Sequence, residues 1–255
     1  MRIEYWFVFC CALLFASCDN DGTVQPGVPN SEAYFPLEVG RYIEYRVDSI
    51  VFDDAPGGNK KDTIRFQLRE EVVSLNVSQP GDTSYYLHRF RRNTDAEPWS
   101  LTDVWATGYD ENSANRLEEN LIFRKMTMPL YAGLRWISTA YISPETKVQI
   151  GTEIIEPYEY WDSRVQTIDA SGSVGDFAFQ DGLVMQIRQV DTDDELMKRY
   201  VHETYVRNIG LVERTDTILD SRCIELGDFG PCIGKPWVDH ASKGYILSQV
   251  MIAHN

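Results

Sequence analysis

From Tyr34 onward, apolar and polar residues alternate with a period of two over short stretches, the signature of strands that bury one face. Ile43, Tyr45, Val47 and Val51 are separated by Glu44, Arg46 and Asp48. In residues 63–77, Ile64, Phe66 and Leu68 share one face while Val73, Leu75 and Val77 fall on the other, so a bulge is expected near Glu70-Glu71. A strand of that length would extend roughly 50 Å, too far for a flat sheet in one domain, and the sheet should curve. Further strands are predicted over residues 84–93, 101–106, 116–126, 136–142, 146–155, 158–168, 183–190, 195–207 and 210–219. Residues 245–252 fit a helix almost as well, but β-branched Ile246, Val250 and Ile252 favour a strand. Turn chemistry at 53–62, 80–82 and 108–113 separates several of these runs. The pattern predicts a mainly β fold: a single large, strongly curved antiparallel sheet, half-barrel or barrel-like, with few short helices.

One phrase occurs twice. Pro36-Leu-Glu-Val-Gly40 and Pro129-Leu-Tyr-Ala-Gly133 each precede a predicted strand, so each is read as a tight entry turn in which Gly supplies an unusual backbone geometry. Little around the two copies matches, which favours a recurring way to start a strand over a duplicated half-domain.

Composition narrows the partners. The net charge of −15 repels phosphate backbones and anionic membrane surfaces, so no nucleic acid is expected as a partner. Cys223 and Cys232 flank a stretch containing Gly and Pro and are read as a local disulfide in an oxidising compartment, the alternative being two reduced, buried thiols. Neither a metal nor a cofactor is expected, because no second Cys or His pair stands at ligand spacing.

The N-terminus carries the address. Arg2 and Glu4 precede an apolar run from Tyr5 to Ala16, too short to span a bilayer but of signal-peptide length. Leu14-Phe15-Ala16-Ser17-Cys18 resembles the lipobox of bacterial lipoproteins, which implies acylation of Cys18. Asp19-Asn20-Asp21 after that cysteine resembles the export signal of surface lipoproteins of Bacteroidota. The organisation expected is a signal peptide over 1–18, a flexible tether over 19–33 and a β-rich domain over 34–255. The resemblance implies a cell-envelope location as an outer-membrane lipoprotein, facing periplasm or cell surface. Tyr34-Phe-Pro-Leu-Glu-Val-Gly-Arg-Tyr-Ile-Glu-Tyr45 and Ile209-Gly-Leu-Val-Glu-Arg214 resemble phrases of uncharacterised envelope lipoproteins, and through them the LolA/LolB curved-sheet carriers. That likeness implies a curved antiparallel sheet and assigns no catalytic residue.

Catalytic motifs are lacking. His88, His202, His240 and His254 are scattered, and neither a nucleophile elbow nor a phosphate-binding glycine loop occurs. Asp191, Asp193, Asp194 and Glu195 lack EF-hand spacing and read as a solvated loop. Arg89 and Arg91 share a strand face and form a possible anion-binding pair, unless cross-strand carboxylates such as Glu118 or Glu119 neutralise them. Trp99, Trp105, Trp136, Trp161 and Trp237 belong to the core or, on an open face, to a glycan or protein site. The expected function is a lipid-anchored, non-enzymatic envelope protein binding a protein partner or ligand through its β domain. The alternatives are a carrier of lipid or another apolar ligand, and a carbohydrate-binding or carbohydrate-active surface protein.

Overall fold

The computed structural model describes residues 27, 29–54, 61–76, 83–159 and 161–255. Cys18, the signal peptide and most of the expected tether lie outside the described residues, as do residues 55–60 and 77–82.

The first half of the chain is a meander: β1 (Tyr42–Asp53), β2 (Asp62–Asn76), β3 (Thr83–Arg92), β4 (Ser100–Tyr109), β5 (Ser113–Glu118) and β6 (Leu121–Thr127). A two-residue strand, β7 (Arg135–Trp136), and a small hairpin, β8 (Val148–Ile150) with β9 (Glu153–Ile155), follow. Long strands β10 (Ser163–Val174), β11 (Phe177–Asp193), β12 (Met197–Val206) and β13 (Gly210–Ser221) come next. Two short helices, α1 (Arg222–Leu226) and α2 (Trp237–His240), precede β14 (Ala241–His254).

Twelve strands form one antiparallel sheet in the order β6-β5-β4-β3-β2-β1-β14-β13-β12-β11-β10-β7. The final strand returns to pair with the first, Ile43 opposite His254 and Val51 opposite Tyr245, joining the two halves of the meander. The sheet is nearly closed into a barrel. At its edges, the Arg124 N–H donates to the Ser138 carbonyl (2.9 Å) and the Trp136 indole N–H to the Arg124 carbonyl (3.0 Å). Those bonds satisfy backbone groups an open edge would leave unpaired. Register shifts in most strand pairs, between Glu44 and Tyr45, Arg188 and Val190, and Thr204 and Tyr205 among them, bend the strands enough to roll the sheet.

The predicted bulge exists but comes later. β1 and β2 pair regularly through Glu70 and Glu71, and the slip falls between Val72 and Ser74 against β3. Glu70 therefore keeps the inward phase of Leu68 and is itself buried. Residues 116–126, read as one strand, are the hairpin β5–β6, turned by Glu119 (φ 48°) and Asn120 (φ 64°). Two successive left-handed residues fit a tight hairpin turn, and a glutamate in the first position hid it. Residues 136–142 are mostly turn, and 146–155 is the β8–β9 hairpin rather than one strand.

Both repeated phrases do the same local job. Gly40 (φ 91°) and Gly133 (φ 88°) occupy the left-handed region just before β1 and β7, and their N–H groups bond to the carbonyls of Val72 and Val165.

The packed chain begins before Tyr34. A 3-10 turn over Ser31–Tyr34 is fixed where the tether had been expected. Arg207 donates to the carbonyls of Pro29 (3.3 Å) and Asn30 (3.1 Å), and the Leu130 N–H donates to the Ser31 hydroxyl (3.1 Å). Tyr34 and Phe35 join the largest core cluster, with Met126, Leu130, Trp136, Met185, Ile187 and Tyr205. Residues 29–41 thus form a strap across one end of the barrel, and the Tyr109 hydroxyl clasps it at the carbonyls of Phe35 and Glu32.

Candidate functional site

Strand alternation turns Arg89 inward, directly opposite Glu70 on β2, with Asp103 opposite it on β4. Its guanidinium bonds Glu70 (3.2 Å), approaches Asp103 at 3.6 Å and lies 3.8 Å from the Trp105 ring centroid. Arg91 covers the Phe66 ring and donates to Asn93. The two arginines are not joined on one anion. Carboxylates do neutralise Arg89, but they are Glu70 and Asp103 rather than Glu118 or Glu119, because β3 neighbours β2 and β4 and not β5.

The barrel interior holds a second ion cluster that the sequence reading missed. Lys125 of β6 bonds Glu203 of β12 across the interior at 2.6 Å and stands 3.8 Å from Glu118. Tyr205 (2.7 Å) and Gln189 (2.8 Å) donate to the other Glu203 oxygen. Arg214 binds Asp216 through Nε (2.9 Å) and lies 3.8 Å from Glu118. Burial alone would raise the Glu203 carboxyl, yet Lys125 and Arg214 carry it down to about 2. Glu118 is lowered too, burial being outweighed by Lys125 and Arg214. Asp216 is raised, because there burial outweighs Arg214. The two carboxylates facing Lys125 are both held as anions, and Asp216 is pinned by a guanidinium. The cluster is buried inside the barrel. Apart from Glu118, these residues gave no signal in the sequence, because charged side chains stand at inward positions where alternation leads one to expect apolar ones.

The disulfide between Cys223 and Cys232 is present and both residues are buried. It closes a loop inside a lobe, residues 222–240, that directly follows β13. Ser221 caps α1 by accepting from the Cys223 N–H (3.1 Å), and Gly227 (φ 62°) ends the helix in the left-handed region. Arg222 bonds Asp54, Trp237 donates to Asp193 (2.7 Å), and the Trp237 and His240 rings lie 4.5 Å apart. On this fixed frame Ile224, Leu226, Phe229, Ile233 and Val238 stand exposed, Ile233 at 63% and Leu226 at 58%. Together they expose apolar surface on the order of 400 Å², comparable to the largest patch of a typical monomer, which is often functional. β13 begins beside the strap, with Gly210 against Pro36, and ends at the lobe. Twelve residues of strand, roughly 35–40 Å, therefore separate the lobe from the end where the described chain begins.

Two hollows accompany these features. Beneath the strap lies a half-open cavity of about 50 Å³, walled by Phe35, Leu37, Ile43, Val72, Leu87 and Leu211, with Glu70 and Arg116 among its lining. On the β4–β6 flank an open groove of about 380 Å³ runs past Tyr109, Asp110, Asn115, Leu117, Ile122 and Tyr141. Among the described residues no group of three or more His, Cys, Asp and Glu side chains is placed to hold a metal. In the acidic loop Asp193 is engaged by Lys198 and Trp237, and Asp194 accepts from the N–H groups of Leu196 and Met197. Of the tryptophans, Trp136 and Trp161 are core residues, while Trp99 and Trp105 carry the guanidiniums of Arg92 and Arg89.

No family model matches the chain, and no curated protein matches it. Two solved structures resemble it. One is a protein inferred to be exported, with a YmcC-like fold, from Bacteroides fragilis; it shares 10% identity at a TM-score of 0.44. The other is inferred to be a lipoprotein, from Parabacteroides distasonis, with 10% identity and a TM-score of 0.37. Each likeness covers 87% of this chain and 98% of the other. Neither is named as a LolA- or LolB-type carrier, and likenesses this distant lend the chain no function.

Proposed function

We propose that this is a lipid-anchored, non-enzymatic protein of the bacterial envelope that binds a partner protein through the stapled lobe. The observation that carries the reading is the set of five exposed apolar side chains on a disulfide-fixed frame, at the end of the barrel far from the strap. Holding apolar groups in place before binding lowers the ordering cost of association, which a mobile loop would incur in full. The expected anchor at Cys18 precedes the strap by a short stretch of chain. The strap end would then sit near the membrane and the lobe would project away from it. An anionic bilayer is a poor occupant for the lobe, because the chain is acidic overall and the lobe itself carries Glu225, Asp228 and Asp239 against Arg222 and Lys235.

The carrier reading receives less support. Pockets that enclose a drug-sized ligand measure roughly 300–1,000 Å³; the cavity under the strap, about 50 Å³, is too small to enclose a whole lipid, and the flank groove of about 380 Å³ is open rather than enclosed. A glycan is a second reading favoured by one observation: the open flank groove combines Tyr109 and Tyr141 with the polar side chains of Asp110 and Asn115.

The test has two parts. Metabolic palmitate should label the native chain and not Cys18→Ala; equal labelling would remove the anchor. Phe229→Asp and Ile233→Asp should abolish co-purification of the partner from the native envelope while leaving the fold intact. A partner retained at full yield by both variants would move the binding surface elsewhere, and a glycan bound only by the intact flank groove would favour the second reading.

A further inference from the structure

We propose that the cavity beneath the strap is a binding site for a small aliphatic carboxylate, an assignment independent of the lobe. Its walls are apolar, formed by Phe35, Leu37, Ile43, Val72, Leu87 and Leu211, and its mouth is half open, with Arg41, Tyr42 and Asn255 among the lining residues. Arg116 of β5 also lines it and is only 8% exposed. One guanidinium nitrogen of Arg116 meets Glu70 at 3.3 Å, while its buried Nε finds no acceptor among the described residues. A buried donor without an acceptor is costly, and an incoming carboxylate supplies one.

Charge points the same way. Glu70 is shared between two guanidiniums, those of Arg89 and Arg116. Asp103 faces Arg89. Glu118, the other carboxylate that acts on Arg116, is within 3.8 Å of both Lys125 and Arg214. Glu70 and Glu118 together outweigh burial and hold Arg116 as a cation, so the cavity presents a fixed positive group to an incoming anion. A volume of about 50 Å³ admits a carboxylate head with a carbon or two, the rest of a short chain lying along the apolar walls toward the mouth. A guanidinium under apolar walls selects an acid over an alcohol of equal length, because charge-assisted hydrogen bonds are the stronger ones.

The experiment titrates hexanoate into the full chain in a sugar-headed detergent and follows methyl resonances of Val72, Leu87 and Leu211. The expected result is a saturable shift of these methyls with an affinity roughly tenfold better than that of hexanol. Arg116→Lys, which keeps a cation beside Glu70, should weaken hexanoate several-fold and leave hexanol unchanged. Val72→Phe, which fills the cavity, should abolish both shifts, and it decides the matter if Arg116→Lys does not fold. Equal binding of hexanol and hexanoate, or hexanoate shifts that survive Val72→Phe, would overturn the assignment, as would methyls that do not respond at all.

Discussion

Lys125→Met should be among the most damaging single substitutions in this protein, and its effect should depend on pH. Lys125 is 5% exposed and Glu203 fully buried, their charged atoms 2.6 Å apart. At an effective dielectric near 20 their attraction is about 6 kcal/mol, and desolvating each ion costs several kcal/mol, so the intact pair contributes little net stability. Removing only the lysine is different. Glu118, Glu203 and Asp216 would then face Arg214 without their second cation, and breaking a buried pair in this way costs about 3–5 kcal/mol.

The sign with pH follows from Glu203. Its carboxyl is held near 2 in the folded protein, against 4.5 for the free side chain. A depressed folded value contributes stability that is present above pH 4.5 and lost as the pH falls toward 2, roughly 3 kcal/mol in all. Lys125 is the largest of the influences lowering it. Without that lysine Glu203 takes up a proton more readily, and the variant loses less stability on acidification. Urea unfolding followed by tryptophan fluorescence should show the gap between native and variant widest at pH 7 and narrower near pH 3.5. A gap under about 1 kcal/mol at neutral pH, or one that does not change with pH, would refute the reasoning. The double variant Lys125→Met, Glu203→Gln should recover part of the loss, because no unpaired anion remains at that position.

Other outcomes follow from single contacts. Replacing both Cys223 and Cys232 by Ser should cost about 2–3 kcal/mol, for a closed loop of some ten residues, and open the lobe to limited proteolysis. Gly244→Ala should prevent folding or cost 4 kcal/mol or more: φ is 116°, and the new methyl would stand 2.0 Å from the Ile218 carbonyl oxygen, as soluble yield and thermal unfolding would show. Phe35→Ala should cost about 3–5 kcal/mol in denaturant unfolding, since Phe35 is 3% exposed and its loss leaves a void under the strap. Ile233→Asp, by contrast, should change stability by no more than about 0.5 kcal/mol, because that side chain is mostly in solvent.

Much of the fold was legible because strand alternation is a local signal. β1, β12, β13 and β14 appear where Tyr45, Val47, Val201, Ile218 and Met251 keep phase with their neighbours. Boundaries failed where the deciding contact is remote. The β5–β6 turn rests on left-handed geometry at Glu119, a residue that carries no turn signal of its own. Residues 29–33, the first part of the strap, were expected to belong to the tether, because the contacts that hold them come from Arg207 and Tyr109, far away in sequence. Of the candidate sites, the Cys223–Cys232 pair was readable from its local spacing. Arg89 and Arg91 were read as sharing a strand face, and Arg89 meets Glu70 and Asp103 rather than Glu118 or Glu119, since strand order decides which residues stand opposite. The interior cluster of Lys125, Glu203 and Arg214 forms only when β6 meets β12 and β13 across the barrel, a closure that no sequence window contains.

The central claim is that the stapled lobe is the docking surface. A photo-reactive residue placed at Ile233, and separately at exposed Ser173 near the tip of the β10–β11 hairpin, tests it most directly in the native envelope. The account predicts a discrete protein adduct from position 233 that disappears when Phe229→Asp is added, and none from position 173. Adducts of equal yield from both positions, or an adduct at 233 indifferent to Phe229→Asp, would contradict it.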